Sequence, residues 1–438
     1  MGTVVNLPYT FVQKENNLPV VVDAGPSSFN LNINTNILYA TVTVCALGAL
    51  PTDPAPNKCL TIDHVQVDTG SVGLRILATP AVRQLGLLPI EGKTPVNPGD
   101  PLVDQAWEYF QFVIGGLWGP TVVADVKMGN QWAQRLRVQL IQTDNASATI
   151  KVAKNCAPVL PLTKLEPCSA MDSVSLLGAN GILGIGNMPV DCGQICLDVS
   201  KTLYYSCPLN ATSELDCSLV VMGAEKQVDN PVAALPPGFN NGVVLALPTV
   251  PSIGAGTVNG ELIFGIDTQN PQANNYLAPN APRINLGTNY LTNSKSYLNI
   301  TTAFGGNTYF NSYLDTGSNG LVFDKPITLN IPVSGDWYAP NSQLSLTAYL
   351  SDGDNQSLNT TTVPFSVGNS LVIQSNYAFG DLAGPPSASA SSNMDASVLT
   401  FAWGLPFFYG RRVVLSLWDQ TSKLPLYSNG PWYSWSPI

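Results

Sequence analysis

The sequence predicts an all-β fold built from two homologous lobes, and three observations support this prediction. Charged residues make up only 11% of the 438 residues, while glycine (37) and proline (35) are abundant. Such a composition is typical of short strands joined by turns rather than of helices. Runs rich in β-branched and aromatic residues recur along the chain, as in Ile37 to Cys45 (ILYATVTVC), and one segment that follows such a run occurs twice.

The repeated segment reads DTGSVGL from Asp68 to Leu74 and DTGSNGL from Asp315 to Leu321, so six of its seven positions are identical. Each copy follows a strand-like run that ends at the aspartate. An acidic residue presented twice by the same strand-to-turn unit indicates a duplication that brings two carboxyl groups to one site.

Hairpins are predicted around both copies and elsewhere in the chain. Ile37 to Cys45 pairs with Cys59 to Val67 before Asp68, and 297–303 pairs with 308–314 before Asp315. A third hairpin joins 109–114 to 121–128 through a wide tip at 115–120, where glycines allow bending over a neighbouring groove. Further strands are predicted at 179–186, 243–247, 260–266 and 400–415, followed by packed extended chain from 418 to 438.

All eight cysteines lie in the first half of the chain. Their even number, beside a single histidine, indicates disulfides formed in an oxidising compartment, so we expect a secreted or periplasmic protein. Cys45 with Cys59 and Cys156 with Cys168 are local pairs. The last four pair either nested or sequentially, and pin an insert from Pro189 to about Val228 that we expect to consist of loops; they are Cys192, Cys196, Cys207 and Cys217.

The charge balance and the histidine count exclude several classes of function. A net charge of −10, without any large cluster of lysine or arginine, argues against nucleic acid and anionic membranes as partners. No apolar run is long enough to span a membrane. With His64 as the only histidine, a serine–histidine or cysteine–histidine nucleophile is excluded. We expect no metal ion and no cofactor.

Two facing Asp-Thr-Gly-Ser segments have a specific chemical logic. Carboxyl groups about 3 Å apart cannot both ionise, so the pair holds one proton, and one group then accepts a proton while the other donates one. Glycine allows the backbone to approach a carboxyl group closely. The threonine hydroxyl can bond across to the opposite segment, and the serine hydroxyl can support the outer carboxyl oxygen.

These residues resemble the pepsin-like aspartic proteases. Both Asp-Thr-Gly-Ser segments match the catalytic loops of that family, and Gly181-Ile182-Leu183-Gly184 and Ala402-Trp403-Gly404 match the strands that pass behind them. The chain is also similar to a bacterial branch of pepsin-fold proteins without an assigned role. The resemblance implies a bilobal, all-β fold with two β-barrel-like lobes, at 1–265 and 266–438, and a cleft between them.

The resemblance also implies an endopeptidase that cleaves extended polypeptides at acidic pH, acts as a monomer and binds pepstatin-type inhibitors. Its catalytic residues are Asp68 and Asp315. The residues that support the catalytic loops are Thr69, Gly70, Ser71, Thr316, Gly317 and Ser318. The alternative, from another class, is a catalytically weak or inactive pepsin-fold protein that binds a protein or glycan partner.

The sequence departs from the family pattern around the flap, the hairpin that covers the cleft. Arg75 stands where pepsins usually have a tryptophan that braces the flap tyrosine, and the predicted flap has no tyrosine at its middle. Trp118 or Phe112, beside the tip residue Gly116, is expected to cover the substrate instead. Tyr109 is the less favoured alternative.

Overall fold

A computed structural model describes most of the chain. The described residues are 2–8, 15–26, 35–49, 58–93, 104–112, 115–143, 170–211, 216–266, 280–287, 298–326, 329–353, 359–372, 376–386, 399–418 and 430–438. Within these ranges no helix is long and apolar enough to cross a membrane.

Strands dominate the described residues, which confirms the predicted all-β fold. Those of the first half are Val4–Val5 (β1), Asn17–Val22 (β2), Tyr39–Cys45 (β3), Cys59–Asp68 (β4), Val72–Leu77 (β5), Leu88–Pro89 (β6), Asp104–Gln111 (β7), Gly116–Met128 (β8), Gln131–Ile141 (β9), Gly181–Ile185 (β10), Tyr204–Pro208 (β11), Ser218–Leu219 (β12), Gly242–Leu247 (β13) and Thr257–Phe264 (β14).

The remaining strands are Arg283–Asn285 (β15), Ile300–Phe304 (β16), Asn307–Leu314 (β17), Leu321–Phe323 (β18), Val333–Ser334 (β19), Trp337–Tyr338 (β20), Leu344–Ser351 (β21), Thr360–Val367 (β22), Ala383–Gly384 (β23), Thr400–Trp403 (β24), Arg411–Ser416 (β25) and Trp432–Pro437 (β26). The helical segments are short: α-helices at Pro80–Gln84 (α1) and Val174–Leu177 (α2), and 3-10 turns at Gly193–Leu197, Ser370–Val372 and Leu405–Phe407.

The hairpin before Asp68 forms as predicted. Strand β3 pairs antiparallel with β4, and Cys45 lies directly opposite Cys59. These two cysteines form a disulfide. The cysteines of the insert pair sequentially, Cys192 with Cys196 and Cys207 with Cys217. The pair predicted for Cys156 and Cys168 lies outside the described residues.

The duplication seen in the sequence is also a duplication of strand topology. Strand β10 runs parallel to β4 and antiparallel to β5, directly behind the turn that joins them. Strand β24 lies in the same way between β17 and β18. Equivalent hydrogen bonds tie each rear strand to its turn: Gly186 N to Ser71 O at 2.8 Å and Leu405 N to Ser318 O at 2.9 Å. Each aspartate therefore leaves its sheet through the same three-strand unit.

The two halves of the chain share one large sheet. Strand β13 pairs with β25, β25 pairs with β26, and β26 pairs with β15. The tail, predicted as packed extended chain, thus contributes a paired and almost wholly buried strand. A second sheet, in the order β22-β21-β16-β17-β24-β18-β23, comes from the second half alone. The lobe boundary between residues 265 and 266 stays a prediction.

The third hairpin, β7 with β8, is called the flap hairpin below, and its predicted wide tip is wrong. Gly116 pairs with Gln111 and Pro120 pairs with Trp107, so most of the predicted tip is regular strand. Strand β7 ends at Gln111, β8 begins at Gly116, and Phe112 N donates to Gly115 O at 2.8 Å between them. Gly119 belongs in the strand for a steric reason, because a Cβ there would lie 1.8 Å from the carbonyl oxygen of Leu140. Glycine in this hairpin marks close backbone approach rather than a mobile tip.

The cysteine-rich insert is also more ordered than predicted. Instead of loops alone, it contains a 3-10 turn and two strands, and β11 pairs along the free edge of β7, with Tyr204 opposite Glu108 and Ser206 opposite Ala106. The insert therefore extends the flap hairpin by one strand. The strand is short and its sequence, YYSCP, ends in a proline, so it lacks a clear strand pattern.

We expect the glycine behind the first turn to be indispensable for stability. A Cβ at Gly184 would lie 2.8 Å from the backbone carbon of Val72 and 2.9 Å from Gly73 N, atoms that cannot yield. Gly184→Ala should lower the free energy of unfolding by about 1–3 kcal/mol, measured by urea denaturation. The control is Gly380→Ala, whose new Cβ would meet nothing within 4 Å. Equal stability of the two variants would contradict this account of the strand packing.

Candidate active site

The two Asp-Thr-Gly-Ser turns are joined by a reciprocal set of hydrogen bonds. Thr69 N donates to Thr316 Oγ1 and Thr316 N donates to Thr69 Oγ1, each at 3.0 Å. Each hydroxyl in turn donates to a carbonyl of the opposite half, Thr69 Oγ1 to Leu314 O at 2.9 Å and Thr316 Oγ1 to Val67 O at 2.7 Å. Both threonines are buried. Neither turn can shift without breaking bonds made by the other.

Each carboxyl group is held by its own turn in the same way. Gly70 N donates to Asp68 Oδ1 at 2.8 Å, and Gly317 N donates to Asp315 Oδ1 at 2.9 Å. Ser71 Oγ donates to Asp68 Oδ2 at 2.5 Å, and Ser318 Oγ donates to Asp315 Oδ2 at 2.6 Å. The inner and outer oxygens of both groups therefore have matching donors.

The two carboxyl groups face each other across the glycines. A Cβ built on Gly70 would lie 2.5 Å from Asp315 Oδ1, and one on Gly317 would lie 2.5 Å from Asp68 Oδ1. Only glycine leaves room for this approach. Asp68 is 5% and Asp315 9% exposed. Burial and the neighbouring Asp68 carboxyl, which also shares a hydrogen bond with it, raise the pKa of Asp315 to about 8. A proton on Asp315 leaves the pair with a single negative charge.

Two further residues hold this arrangement, and sequence reasoning missed both. Tyr433 of β26 bonds to the backbone of Leu314, and burial together with the charge of Asp315 raises the pKa of its phenol. Asn36, with a positive φ of 55°, lies just before β3 and is buried. Its amide group donates to the carbonyl oxygens of Asn319 and Phe379 at 2.8 and 2.9 Å, and its Oδ1 accepts from Tyr409. It thereby joins the first half of the chain to the second Asp-Thr-Gly-Ser turn.

The predicted flap residues occupy three different environments. Trp118 is buried, with its ring centroid 5.2 Å from that of Trp107 and 5.1 Å from that of Tyr205 in the insert. Gly116 makes room for a phenol, because a Cβ there would lie 2.3 Å from the Tyr109 hydroxyl oxygen. Phe112 is half-buried at the turn, 4.9 Å from the ring of Phe110. Of the two aromatic candidates, Phe112 is thus the one placed at the turn.

The single histidine of the chain and its possible metal ligands are considered next. His64 lies beside Asp63, at 2.9 Å, and Asp23, at 3.4 Å, with its ring against Tyr39. No group of three or more histidine, cysteine, aspartate or glutamate side chains that could hold a metal ion occurs among the described residues.

Comparison with known proteins gives a family and likeness to solved structures, of which one is described here. A family model described as "Protein of unknown function (DUF3443)" matches residues 12–435. The chain belongs to the DUF3443 family. No curated protein matches this DUF3443 chain. A crystal structure of an aspartic proteinase from Irpex lacteus is similar with a TM-score of 0.46 and 13% sequence identity, over 96% of this chain and 97% of the proteinase.

The threonine exchange should show energetic coupling between the two turns. Thr69→Val keeps the shape of the side chain but leaves Thr316 N without its acceptor, so we expect a loss of about 1–3 kcal/mol in the free energy of unfolding. Thr316→Val should cost a similar amount, and the double variant less than the sum, measured in a double-mutant cycle. Thr43→Val, whose hydroxyl bonds to Thr61 at the surface, is the control. Strict additivity of Thr69→Val and Thr316→Val would contradict the reciprocal arrangement.

Stability should depend on pH through Asp315. Its pKa is raised from 3.8 to about 8, so between these values the folded state binds a proton that the unfolded state lacks. The free energy of unfolding therefore falls as pH rises from about 4 to about 8, by at most about 1.4 kcal/mol per pH unit. Asp315→Asn, permanently neutral, should remove this slope, whereas the exposed-site control Glu225→Gln should keep it. The measurement is urea denaturation across that pH range, and identical slopes in wild type and Asp315→Asn would refute the expectation.

Proposed function

We propose that this DUF3443 protein is an aspartic endopeptidase in which Asp68 and Asp315 share one proton and activate a water molecule. The observation that carries the proposal is the pair of identical turns that exchange threonine hydrogen bonds and bring the two carboxyl groups together. Such a pair presents a base and an acid side by side, which is what hydrolysis of an unactivated amide requires.

The arrangement supports the following reaction. The ionised carboxyl group removes a proton from water, and the water oxygen attacks the peptide carbonyl carbon. The protonated carboxyl group, Asp315 by its raised pKa, donates its proton to the carbonyl oxygen, which gives a neutral tetrahedral diol. The carboxyl group that was protonated by water then donates this proton to the amide nitrogen as the C–N bond breaks. The other, now ionised, takes a proton from one hydroxyl of the diol, which becomes the carbonyl of the product acid, so the pair again holds one proton. The serine and glycine donors keep both carboxyl groups oriented throughout.

The substrate we propose is an extended polypeptide. Because β11 already occupies the edge of β7 at 104–108, backbone hydrogen bonds to the end of the flap hairpin would hold it, and Phe112 there would contact its side chains. Pepstatin-type compounds, in which a tetrahedral carbon that bears a hydroxyl group replaces the scissile carbonyl, should bind with this hydroxyl group between the carboxyl groups. Three disulfides among the described residues fit an oxidising, secreted or periplasmic compartment.

Cleavage of a fluorogenic peptide library or of unfolded protein between pH 3 and 9 tests the proposal. We expect Asp68→Asn and Asp315→Asn each to lower kcat/KM by about 10²–10⁴-fold or more, because each removes one proton-transfer group. Wild-type activity should decline as pH rises past about 8, where Asp315 loses its proton. The substitution Glu225→Gln, at an exposed site, controls for the loss of one charge.

Three outcomes would count against the peptidase. In the first, neither wild type nor the two asparagine variants cleaves any substrate. In the second, pepstatin-type compounds do not bind. In the third, the asparagine variants still cleave the substrate. The first two together would favour the alternative, a pepsin-fold protein that binds a protein or glycan partner.

A further inference from the structure

A second buried group of charged residues lies beneath the flap hairpin, outside the proposed catalytic pair. Its members come from four segments: Arg75 on β5, Glu108 on β7, Asp191 on the loop after β10, and Tyr204 on β11 of the insert. Arg75, Glu108 and Tyr204 are 0% exposed, and so is the side chain of Asp191. Because no solvent reaches these side chains, their charges and hydrogen-bonding atoms depend on one another for partners.

Arg75 is the centre of the group. Its Nη2 lies 2.7 Å from Glu108 Oε1 and 3.0 Å from Asp191 Oδ2. Its Nη1 donates to the carbonyl oxygen of Val72 at 2.5 Å, within the strand that follows the first catalytic turn. The guanidinium group also lies 3.8 Å from the centre of the Phe110 ring. One side chain therefore touches the catalytic strand, the flap hairpin and the insert.

The insert completes the group from the other side. The Tyr204 hydroxyl donates to the Asp191 carboxyl, 2.9 and 3.1 Å from its two oxygens, and accepts from Val228 N at 2.6 Å. The strand that carries Tyr204 pairs with the strand that carries Glu108. The Tyr204 side chain thus joins β11 to the loop that carries Asp191, while backbone pairing joins β11 to the strand that carries Glu108.

Counting charges shows that the group needs a proton. With Arg75 positive and both carboxyl groups ionised, a sealed site would carry one net negative charge. Glu108 Oε2 is buried without a hydrogen-bond donor, while the Asp191 carboxyl lies within hydrogen-bonding reach of Glu108. A proton on Asp191, donated to the Glu108 carboxyl group, makes the group neutral.

We propose that Arg75 is a positioning residue that clasps the flap hairpin to the catalytic strand, and that a proton shared by Glu108 and Asp191 keeps this clasp closed. Its effect on peptide cleavage rests on the proposed function, whereas its effect on flap motion does not. Burial and the neighbouring Glu108 raise the pKa of Asp191 well above its usual value, against the opposing effects of Arg75 and Tyr204. Rising pH removes the proton and loosens the flap hairpin.

Amide substitutions test the charge count directly. Glu108→Gln and Asp191→Asn each leave one positive and one negative charge, so the group stays neutral without a shared proton. The double variant leaves Arg75 without a negatively charged partner, and Arg75→Gln removes the positive charge at the centre of the group. Arg137→Gln is the matched control, because Arg137 forms a partly exposed ion pair with Asp229, at 2.8 Å, and lies opposite Val123, outside residues 104–120.

The primary measurement is hydrogen exchange of the backbone amides at 104–112 and 115–120 between pH 5 and 9. All variants carry Asp315→Asn, so that titration of Asp315 does not contribute to the pH dependence. Protection factors should fall at least tenfold with rising pH when the clasp residues are native. The two single amide variants should keep high protection at all pH values. Arg75→Gln and the double amide variant should show low protection already at pH 5, and Arg137→Gln should behave like its parent.

Peptide cleavage with Asp315 restored gives the second measurement. Arg75→Gln should lower kcat/KM at least tenfold, mainly through a higher KM, whereas Glu108→Gln should retain near-parental values. The clasp is overturned if Glu108→Gln loosens the flap hairpin as much as Arg75→Gln does, or if its protection keeps the parental pH dependence. If wild type cleaves no peptide, the proposed function fails, and hydrogen exchange still decides whether the clasp exists.

Discussion

The hydrogen bonds exchanged by Thr69 and Thr316 are the constraint on which the geometry of this molecule depends. Each hydroxyl accepts from the opposite turn and donates to the opposite strand, so each half of the chain completes the other. Threonine suits this position because one small group both donates and accepts. With the turns fixed in this way, glycine is required at Gly70 and Gly317, since any Cβ would strike the facing carboxyl group.

Two buried acid pairs lie in the part of the chain that the structure describes, and they differ in what surrounds them. The Asp68–Asp315 pair has only neutral hydrogen-bond donors from its turns, and retains a small exposure. Glu108 and Asp191 share an arginine and are sealed. In both places burial favours the protonated form, so one proton replaces a counter-charge. An open pair can exchange that proton with a reactant, whereas a sealed pair can use it only to hold its neighbours in place.

The repeated Asp-Thr-Gly-Ser segments predicted the core of the candidate site from the sequence, because the same local pattern implied the same strand–turn unit twice. The Cys45–Cys59 hairpin was predictable for a similar reason, since short sequence separation limits the partners. Tyr433 and Asn36 were not predictable, because their partners lie far along the chain: Asn36 meets Phe379 across 343 residues. A lone asparagine before a strand carries no signal of that contact.

In the flap hairpin, local sequence patterns led to a wrong prediction. Glycines at 115, 116 and 119 favoured a wide tip, but strand partners decided otherwise, and Gly119 serves close packing against Leu140. The useful signal was a charge in an apolar strand: Arg75 within VGLRIL and Glu108 within QAWEYFQ. Charged residues at such positions are rarely buried unless they are paired with one another. Neither strand alone, however, shows that the two are partners.

A buried arginine such as Arg75 holds a hairpin in a different way from an aromatic residue. An aromatic brace acts by packing and is indifferent to pH, whereas a buried arginine must find carboxyl groups at defined distances. Such ion pairs contribute little net stability, because desolvation offsets most of their attraction, but removing one partner is costly. Their effect is to disfavour alternative arrangements of the segments they join. A cluster that adds little stability yet joins β5, β7 and β11 is therefore better explained by positioning than by folding.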